Sequence, residues 1–227
     1  MAETIEKLVF VFDLDETLVG GEGGTVNNPA MIKLLRLCIN AREKARVDAI
    51  LLLTNTGYDV DTEPAPTYIQ RKVTQLESEL QSEPGTLFNN IYDRAYKMVG
   101  EEGNKSQVFS IEARRENNRH KGLLEVKNML EESGKNSEKL NTRVYFFDDS
   151  KQAMMDEIDD THAIRVPEFN GLEEESNAVD ALLTEKGIYS LFETGGGYRK
   201  KRKTRGLRKF KKKKTKRMSC YKNIYYG

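Results

Sequence analysis

Three carboxylates follow a short apolar stretch near the start of the sequence. Residues 9–12 (VFVF) are consecutive apolar residues, a pattern typical of a strand buried on both faces in the middle of a parallel sheet. Asp13, Asp15 and Glu16 come directly after it. Because neighbouring like charges repel and burial of an unpaired charge is costly, we expect a cation, most plausibly a metal ion, to meet these carboxylates.

The first two of these carboxylates suit different steps of phosphoryl transfer. Asp13 could act as a nucleophile toward phosphorus and form an aspartyl-phosphate. Asp15 lies two residues on and points to the same side of an extended chain. It could protonate the leaving oxygen and then deprotonate the water that hydrolyses the intermediate. Glu16 is interpreted as a loop residue, or as one that contacts the ligand residues, rather than as a ligand itself.

Polar residues also follow two later apolar stretches. Residues 49–53 (AILLL) run into Thr54 and Asn55, and residues 143–147 (RVYFF) end in Asp148 and Asp149. The two aspartates are hard oxygen ligands suited to Mg²⁺, and the Thr54 hydroxyl and neighbouring backbone N–H groups could bind phosphoryl oxygens. Lys121 opens a helical pattern and offers a positive charge to the same anion.

These residues require a scaffold that brings several strand ends together. Strand and helix patterns alternate along the chain, which predicts an α/β fold with a doubly wound, Rossmann-like parallel sheet and a site at the carboxyl ends of its strands. The predicted strands are 9–12, 49–53, 143–147 and 163–166, with short candidates within 88–94 and 108–111. The predicted helices start after an Asn28 cap at Pro29, cover about 65–82 up to Pro84-Gly85, and span 121–132 and 179–192.

The order of these motifs resembles the haloacid dehalogenase superfamily of phosphohydrolases. Its four motifs correspond to DLDET (13–17), the Thr54 of LLLTNTG, the Lys121 of RHKG and the Asp148-Asp149 pair of YFFDDS, and the resemblance covers roughly residues 7–170. It implies a Rossmann-like fold and Mg²⁺-dependent phosphoester hydrolysis through an aspartyl-phosphate.

The resemblance also implies a role for each matching residue. It makes Asp13 the nucleophile and Asp15 the general acid/base, and an aspartate two positions after the nucleophile favours phosphatases over the ATPase pumps of the family. Phosphoryl binding falls to Thr54, Asn55 and Lys121. The implied metal site comprises Asp13, the backbone carbonyl of Asp15, Asp148 and Asp149, with Asp149 favoured over Asp148 as the direct ligand.

The spacing of the motifs bears on the size of the substrate. Forty residues separate Asp13 from Thr54, and 66 separate Thr54 from Lys121, which leaves room for the predicted elements but for no full cap domain. An open crevice admits a phosphate on a large molecule. DLDETLV also resembles the lidless branch that dephosphorylates the tail of RNA polymerase II, although TNTG departs from that branch. A phosphoprotein is therefore the favoured substrate, and a terminal phosphate on nucleic acid is the alternative.

The net charge of +1 conceals a strong asymmetry between residues 1–193 and the tail 194–227. Fifteen Lys and Arg follow Glu193, fourteen of them within 199–217, and they leave 22 basic against 36 acidic residues before the tail. Such a tail cannot build a core, so we expect it to be disordered alone and to bind nucleic acid or another polyanion. Its aromatic residues could stack on bases.

Several alternatives remain open for the tail. It could act as a nuclear import signal, remain solvated, or fold onto the acidic part of its own chain. Its glycine-led layout, GGGYRKKRKTR, resembles tails of proteins of large DNA viruses. A further alternative for the whole protein is a non-catalytic nucleic-acid-binding protein that uses the phosphatase fold as a scaffold.

The composition excludes several other classes of protein. Two cysteines and two histidines provide neither a disulfide framework nor a zinc cluster. The sequence contains no apolar run near the roughly 20 residues of a membrane span and no signal-peptide layout at its N-terminus. We therefore expect an intracellular protein, cytoplasmic or nuclear, without membrane partners. The resemblance of the tail adds a virus-infected cell as one setting, and the oligomeric state stays open.

Overall fold

The structure is a computed structural model that describes residues 7–55, 67–92, 97–98, 105–106, 121–152 and 154–193. The candidate strand at 108–111 and the basic tail 194–227 lie outside the described residues. Within the described residues, no helix is long and apolar enough to cross a membrane.

Strands and helices alternate along most of the described chain. The strands are β1 (Leu8–Phe12), β2 (Val19–Gly20), β3 (Val26–Asn27), β4 (Val47–Leu53), β5 (Asn90–Tyr92), β6 (Lys97–Met98), β7 (Lys105–Ser106), β8 (Val144–Asp148) and β9 (Ala163–Arg165). The helices are α1 (Pro29–Glu43), α2 (Tyr68–Leu80), α3 (Leu123–Glu132), α4 (Leu140–Arg143), α5 (Met154–Glu157) and α6 (Glu173–Glu185).

The central sheet has the strand order β7-β6-β5-β4-β1-β8-β9. Strands β5, β4, β1, β8 and β9 pair in parallel, whereas β6 and β7 continue the β5 edge in antiparallel pairing. β2 and β3 form a separate antiparallel hairpin directly after β1. The prediction of an α/β fold built on a parallel sheet is confirmed, and the arrangement is compatible with a Rossmann-like fold.

Apolar side chains cover the sheet on both faces. Phe10 and Phe12 of β1 pack with α1, α2 and α6, and Val9 and Val11 pack with α3, α4 and α5. All four side chains are fully buried, as predicted for a central parallel strand. The carboxyl end of β1 is therefore held from both sides, which fixes the position of the residues that follow it.

Helix α1 begins where the sequence predicted, at Pro29 after an Asn28 cap. The Asn28 side chain accepts the N–H of Ala30 at 3.2 Å and donates to the carbonyl of Thr17 at 3.0 Å. Ser176 on α6 donates its hydroxyl to the same Asn28 side chain at 3.0 Å. This buried cap thus ties the loop after β1 to two helices.

Other helix boundaries differ from the prediction. Helix α2 ends at Leu80, before Pro84-Gly85, because Gln81 adopts the left-handed conformation with φ 56°. Helix α3 begins at Leu123 with Gly122 as its N-cap, so Lys121 lies just before the helix rather than within it.

The last helix lies earlier in the chain than the predicted range 179–192. It begins at Glu173, because the Glu175 carboxylate accepts the N–H of Leu172 at 3.2 Å and supports the first turn. It ends at Glu185, and Gly187 then takes φ 72°. Tyr189–Phe192 form a separate 3₁₀ turn, which the apolar pattern had merged with the helix.

Candidate active site

The residues predicted to act together lie at one edge of the parallel sheet. Phe12 at the end of β1 pairs with Leu52 of β4 on one side and with Phe147 of β8 on the other. The strands therefore end side by side. Asp13 follows β1, Thr54 follows β4 and Asp148 is the last residue of β8, as expected for a site at the carboxyl ends of parallel strands.

A buried lysine joins the first and last of these strands. The Lys121 ammonium donates to Oδ1 of Asp13 and, at 2.6 Å, to Oδ2 of Asp148. Exposed fractions are 4% for Lys121, 5% for Asp13 and 0% for Asp148, so the triad is almost completely shielded from water. The carbonyl of Lys121 accepts the N–H of Met154 at 2.9 Å, which anchors the segment before α3.

The triad holds two carboxylates against one ammonium. Burial raises the pKa of Asp13 to about 7, the Lys121 charge opposes this rise, and the nearby Asp148 adds to it. Burial also raises the pKa of Asp148, again against the effect of Lys121. Because the shared lysine does not fully offset both carboxylates, a further cation at this edge would stabilise their charged forms.

The adjacent aspartates Asp148 and Asp149 differ in how fully they are engaged. Oδ1 of Asp148 accepts the backbone N–H of Ser150 at 2.9 Å and the side-chain amide of Gln152 at 3.2 Å, in addition to the Lys121 contact on Oδ2. Asp149 is partly exposed, and its backbone N–H donates to the hydroxyl of Thr17 at 3.1 Å. Asp148 is thus fixed in the interior, while Asp149 is partly exposed to solvent.

The donor set at this edge fits a hard divalent cation. Asp13, Asp148 and Asp149 each offer a carboxylate oxygen, and these oxygens lie within 4.8 Å of one another. Carboxylate oxygens are the ligands that Mg²⁺ prefers in proteins, and Mg²⁺ usually takes only one or two of them. The sequence placed Asp15 at the metal through its backbone carbonyl, which stays a prediction, and the Asp15 side chain faces helix α2.

Asp15 is held by a residue that the sequence did not reveal. The hydroxyl of Tyr68, the first residue of α2, donates to Oδ1 of Asp15 at 2.6 Å. Burial raises the pKa of Asp15, and the hydrogen bond from Tyr68 opposes this rise. Burial and the bond to Asp15 raise the pKa of Tyr68, so the phenol keeps its proton and acts as the donor.

The loop after β1 explains why two aspartates so close in sequence face different partners. The N–H groups of Leu18 and Val19 both donate to the carbonyl of Leu14, which folds the chain back in a tight turn. Glu16 lies at the outside of this turn with φ 59° and is exposed, as its interpretation as a loop residue predicted. Asp13 consequently remains at the sheet edge, and Asp15 is carried toward α2.

Thr54 and Asn55 differ in their suitability for phosphoryl binding. Thr54 is 2% exposed, and its N–H donates to the carbonyl of Tyr92 at 2.9 Å, so it extends the pairing of β4 with β5. Asn55 is exposed at the boundary of the described residues. The nearby polar residues Thr56, Asp59, Asp61 and His120 lie outside the described residues.

Sequence reasoning missed several side chains that support these groups. Thr17 belongs to the DLDET motif, but only the fold brings its hydroxyl to Asp149. Tyr68 follows Thr67, whose side chain caps α2 together with Gln70 in a capping box. That signal could have located the start of the helix, but not its orientation toward Asp15.

No family model matches this chain, and neither does any curated protein or solved structure.

Proposed function

We propose that the protein is a Mg²⁺-dependent phosphatase of the haloacid dehalogenase type that hydrolyses a phosphomonoester on a macromolecule, with a phosphoprotein as the favoured substrate. The observation that carries this proposal is the buried lysine, Lys121, bridging Asp13 and Asp148 beside Asp149 at the carboxyl edge of a parallel sheet. A carboxylate nucleophile for phosphorus needs such positive charge, because it must approach an anionic phosphoryl group.

In the first step, a carboxylate oxygen of Asp13 attacks phosphorus, and the bond from phosphorus to the ester oxygen breaks. Asp15 donates its proton to the departing oxygen, a role that suits a carboxyl whose pKa is raised by burial. Lys121 and the hydroxyl of Thr54 stabilise the charge on the phosphoryl oxygens. The products are an alcohol and an aspartyl-phosphate on Asp13.

In the second step, water attacks the phosphorus of the aspartyl-phosphate. Asp15 now carries a negative charge and takes a proton from this water, which restores its initial state. The bond from phosphorus to the Asp13 oxygen breaks, so inorganic phosphate and the Asp13 carboxylate are regenerated. Tyr68 keeps Asp15 in one orientation through both steps, because its hydroxyl occupies Oδ1 at 2.6 Å.

Asp13 and Asp149 are the residues best suited to hold Mg²⁺, since Asp148 is already engaged by Lys121, Ser150 and Gln152. When bound, the ion offsets the negative charge of the carboxylates and of the phosphoryl oxygens. Thr17 supports the same position, because its hydroxyl accepts the backbone N–H of Asp149.

The preference for a large substrate rests on the absence of room for a full cap between the first two motifs. The stretch from Asp13 to Thr54 contains the hairpin β2–β3, helix α1 and strand β4, and the last two belong to the core. A crevice that this described stretch leaves uncovered admits a phosphate carried by a large molecule.

The direct test measures turnover of an aryl phosphate by the wild type with Mg²⁺ or with EDTA, and by Asp13→Asn. We expect phosphate release that requires Mg²⁺ and is lost in Asp13→Asn, while the exposed control Asp160→Asn keeps wild-type activity. A folded wild type that releases no phosphate from this ester or from phosphorylated peptides and oligonucleotides contradicts the proposal.

The basic segment 199–217 favours nucleic acid as a second kind of partner. Fourteen Lys and Arg within it would neutralise backbone phosphates, so binding should weaken steeply as salt concentration rises. Truncation after Glu193 should abolish this binding and leave aryl phosphate turnover unchanged. If truncation leaves nucleic-acid binding intact, the tail does not have this role. If it abolishes turnover of phosphorylated oligonucleotides alone, nucleic acid becomes the favoured substrate.

A further inference from the structure

A second lysine lies close to the site and is used by none of the steps above. Lys72 follows Tyr68 by one turn of α2 and is only 7% exposed. Within the part of the chain that the structure describes, its ammonium makes no hydrogen bond and no ion pair. Buried lysines usually have a partner, because burial of an unpaired ammonium is costly.

The surroundings of Lys72 direct its ammonium to the Asp15 side of the site. Nζ lies 5.2 Å from the centre of the Tyr68 ring, and the hydroxyl of that ring is bound to Asp15. The charges of Lys72 and Asp15 act on each other, each stabilising the charged form of the other. The phenol therefore lies between the lysine and the proposed general acid and contacts both.

The glycine-rich loop after β2 encloses the lysine stem from the other side. A Cβ atom at Gly24 would come within 3.2 Å of Cε of Lys72 and within 2.5 Å of the Tyr68 hydroxyl oxygen. Gly24 also has φ 64°, a conformation that favours glycine. The loop thus approaches both side chains closely, and any larger residue at this position would displace them.

The ammonium nevertheless remains within reach of a ligand. Among described residues, the fully buried side-chain nitrogen and oxygen atoms without a partner are Nε of Arg143 and Oε1 of Gln152. Lys72 keeps 7% of its surface exposed, so the side chain is not sealed from solvent. A cation with an enclosed stem and an accessible head is suited to receive one anionic group.

We propose that Lys72 binds an anionic group on the leaving-group side of the substrate. This group is a carboxylate or a second phosphate beside the phosphorylated residue of a peptide. Tyr68 contacts both Lys72 and Asp15 and fixes their relative positions. This inference rests on the proposed function, because Asp15 marks the leaving-group side only if it protonates the departing oxygen. It assigns to the site a preference for acidic phosphopeptides.

The described surface favours a peptide over a nucleic-acid strand at this position. Single strands are held by aromatic side chains that stack on successive bases along a basic groove. No aromatic side chain in the described residues is exposed, and the enclosed charge at this position is that of Lys72, with Arg71 exposed beside it. One enclosed lysine matches one acidic group near the ester.

The test measures peptide binding without turnover, in the full-length chain carrying Asp13→Asn. Two fluorescent phosphoserine peptides differ only next to the phosphoserine, with aspartate in one and asparagine in the other; a third carries a second phosphoserine there. Affinity is read by anisotropy at physiological salt. We expect the acidic peptides to bind about tenfold more tightly than the neutral one, and Lys72→Met to remove this difference. The exposed control Lys127→Met should keep it.

Each outcome decides the proposal. If the chain that carries Asp13→Asn alone binds acidic and neutral peptides with equal affinity, the proposal is overturned. This result does not depend on whether Lys72→Met folds. An equal loss for all peptides in a folded Lys72→Met chain also overturns it. A Lys72-dependent gain for a phosphorylated oligonucleotide, with no discrimination among peptides, overturns the choice of a peptide. Absence of turnover in the wild type counts against the proposed function instead, because this assay reads binding alone.

Discussion

The hydroxyl of Tyr68 donates to Oδ1 of Asp15 across 2.6 Å, which joins the first residue of α2 to the loop that follows β1. Tyr68 and Asp15 are 53 positions apart in sequence. The bond holds Oδ1 of Asp15 at the phenol and so limits the rotation of the carboxyl group. A tyrosine far from the aspartate motif thus sets the orientation of the proposed general acid.

We predict that Tyr68→Phe slows hydrolysis in a way that depends on the leaving group. Without the hydrogen bond from Tyr68, Asp15 is less well oriented and protonates a poor leaving group more slowly. The kcat for an alkyl phosphate such as phosphoserine should therefore fall about tenfold or more. An aryl phosphate with an acidic phenol needs little protonation and should lose about twofold or less. Steady-state kinetics on both esters checks this, with Tyr189→Phe as the control because the Tyr189 hydroxyl binds Asp180 instead. Equal losses on both esters would indicate a purely structural role.

We predict that Lys121→Met strongly destabilises the metal-free protein. The change leaves Asp13 and Asp148 buried beside each other without their shared cation, a situation that typically costs about 3–5 kcal/mol. Urea unfolding in EDTA at neutral pH measures the loss. Asp13→Asn added to Lys121→Met should recover part of it, because one of the two carboxylates becomes neutral.

The control for this prediction is Lys127→Met, since Lys127 pairs with Glu131 on an exposed face of α3. Exposed pairs of this kind contribute about 0.3–0.5 kcal/mol. If Lys121→Met unfolds at the same urea concentration as Lys127→Met, the buried triad does not contribute to stability as its geometry suggests.

We predict that Thr17→Val weakens Mg²⁺ binding while preserving the fold. Valine keeps the shape of threonine but removes the hydroxyl that accepts the Asp149 N–H at 3.1 Å. Loss of such a supporting contact typically lowers metal affinity about tenfold or more. Isothermal titration with MgCl₂ provides the measurement, and Thr184→Val, on the exposed part of α6, is the matched control. Unchanged affinity in Thr17→Val argues against Asp149 as a ligand.

We predict that Asp180 contributes stability that depends on pH. Hydrogen bonds from Lys33 and Tyr189 lower the pKa of Asp180, whose carboxylate links α6 to α1. Its contribution is therefore fully present above the unfolded-state pKa of about 3.9 and is lost as pH falls through the lower pKa of the folded state.

The free energy of unfolding of the wild type should accordingly decrease more between about pH 7 and about pH 3 than that of Asp180→Asn. Urea titrations at both pH values provide the comparison, and Asp160→Asn, an exposed aspartate, should behave like the wild type. The same decrease in Asp180→Asn and the wild type would mean that these hydrogen bonds do not stabilise the fold.

The class of fold and the edge at which the site lies were accessible from the sequence. Continuous apolar stretches such as 9–12 and 144–147 are typical of strands buried on both faces, and such strands belong to parallel sheets. Polar residues directly after them must then meet at the carboxyl edge. Hence Asp13, Thr54 and Asp148 were placed at a common edge without any knowledge of the strand order.

Helix boundaries were less accessible, because they depend on local backbone geometry rather than on apolar spacing. Gln81 ends α2 by adopting a left-handed conformation, which a glutamine in the sequence does not predict. Glu175 starts α6 early by capping N–H groups at its N-terminus. Each of these effects involves one or two polar residues. The spacing of apolar residues therefore does not predict them.

The sequence by itself determined which groups could do chemistry, since Asp13, Asp15, Lys121 and Asp149 stand in motifs whose residue types suit phosphoryl transfer. The tertiary structure alone decided their partners. The Lys121 ammonium donates a hydrogen bond to Asp13, which lies 108 positions away in the sequence. The Tyr68 hydroxyl reaches Asp15 because α2 packs against the glycine-rich loop. Long-range hydrogen bonds of this kind depend on distances of a few ångströms between elements, which strand and helix packing sets and local sequence does not.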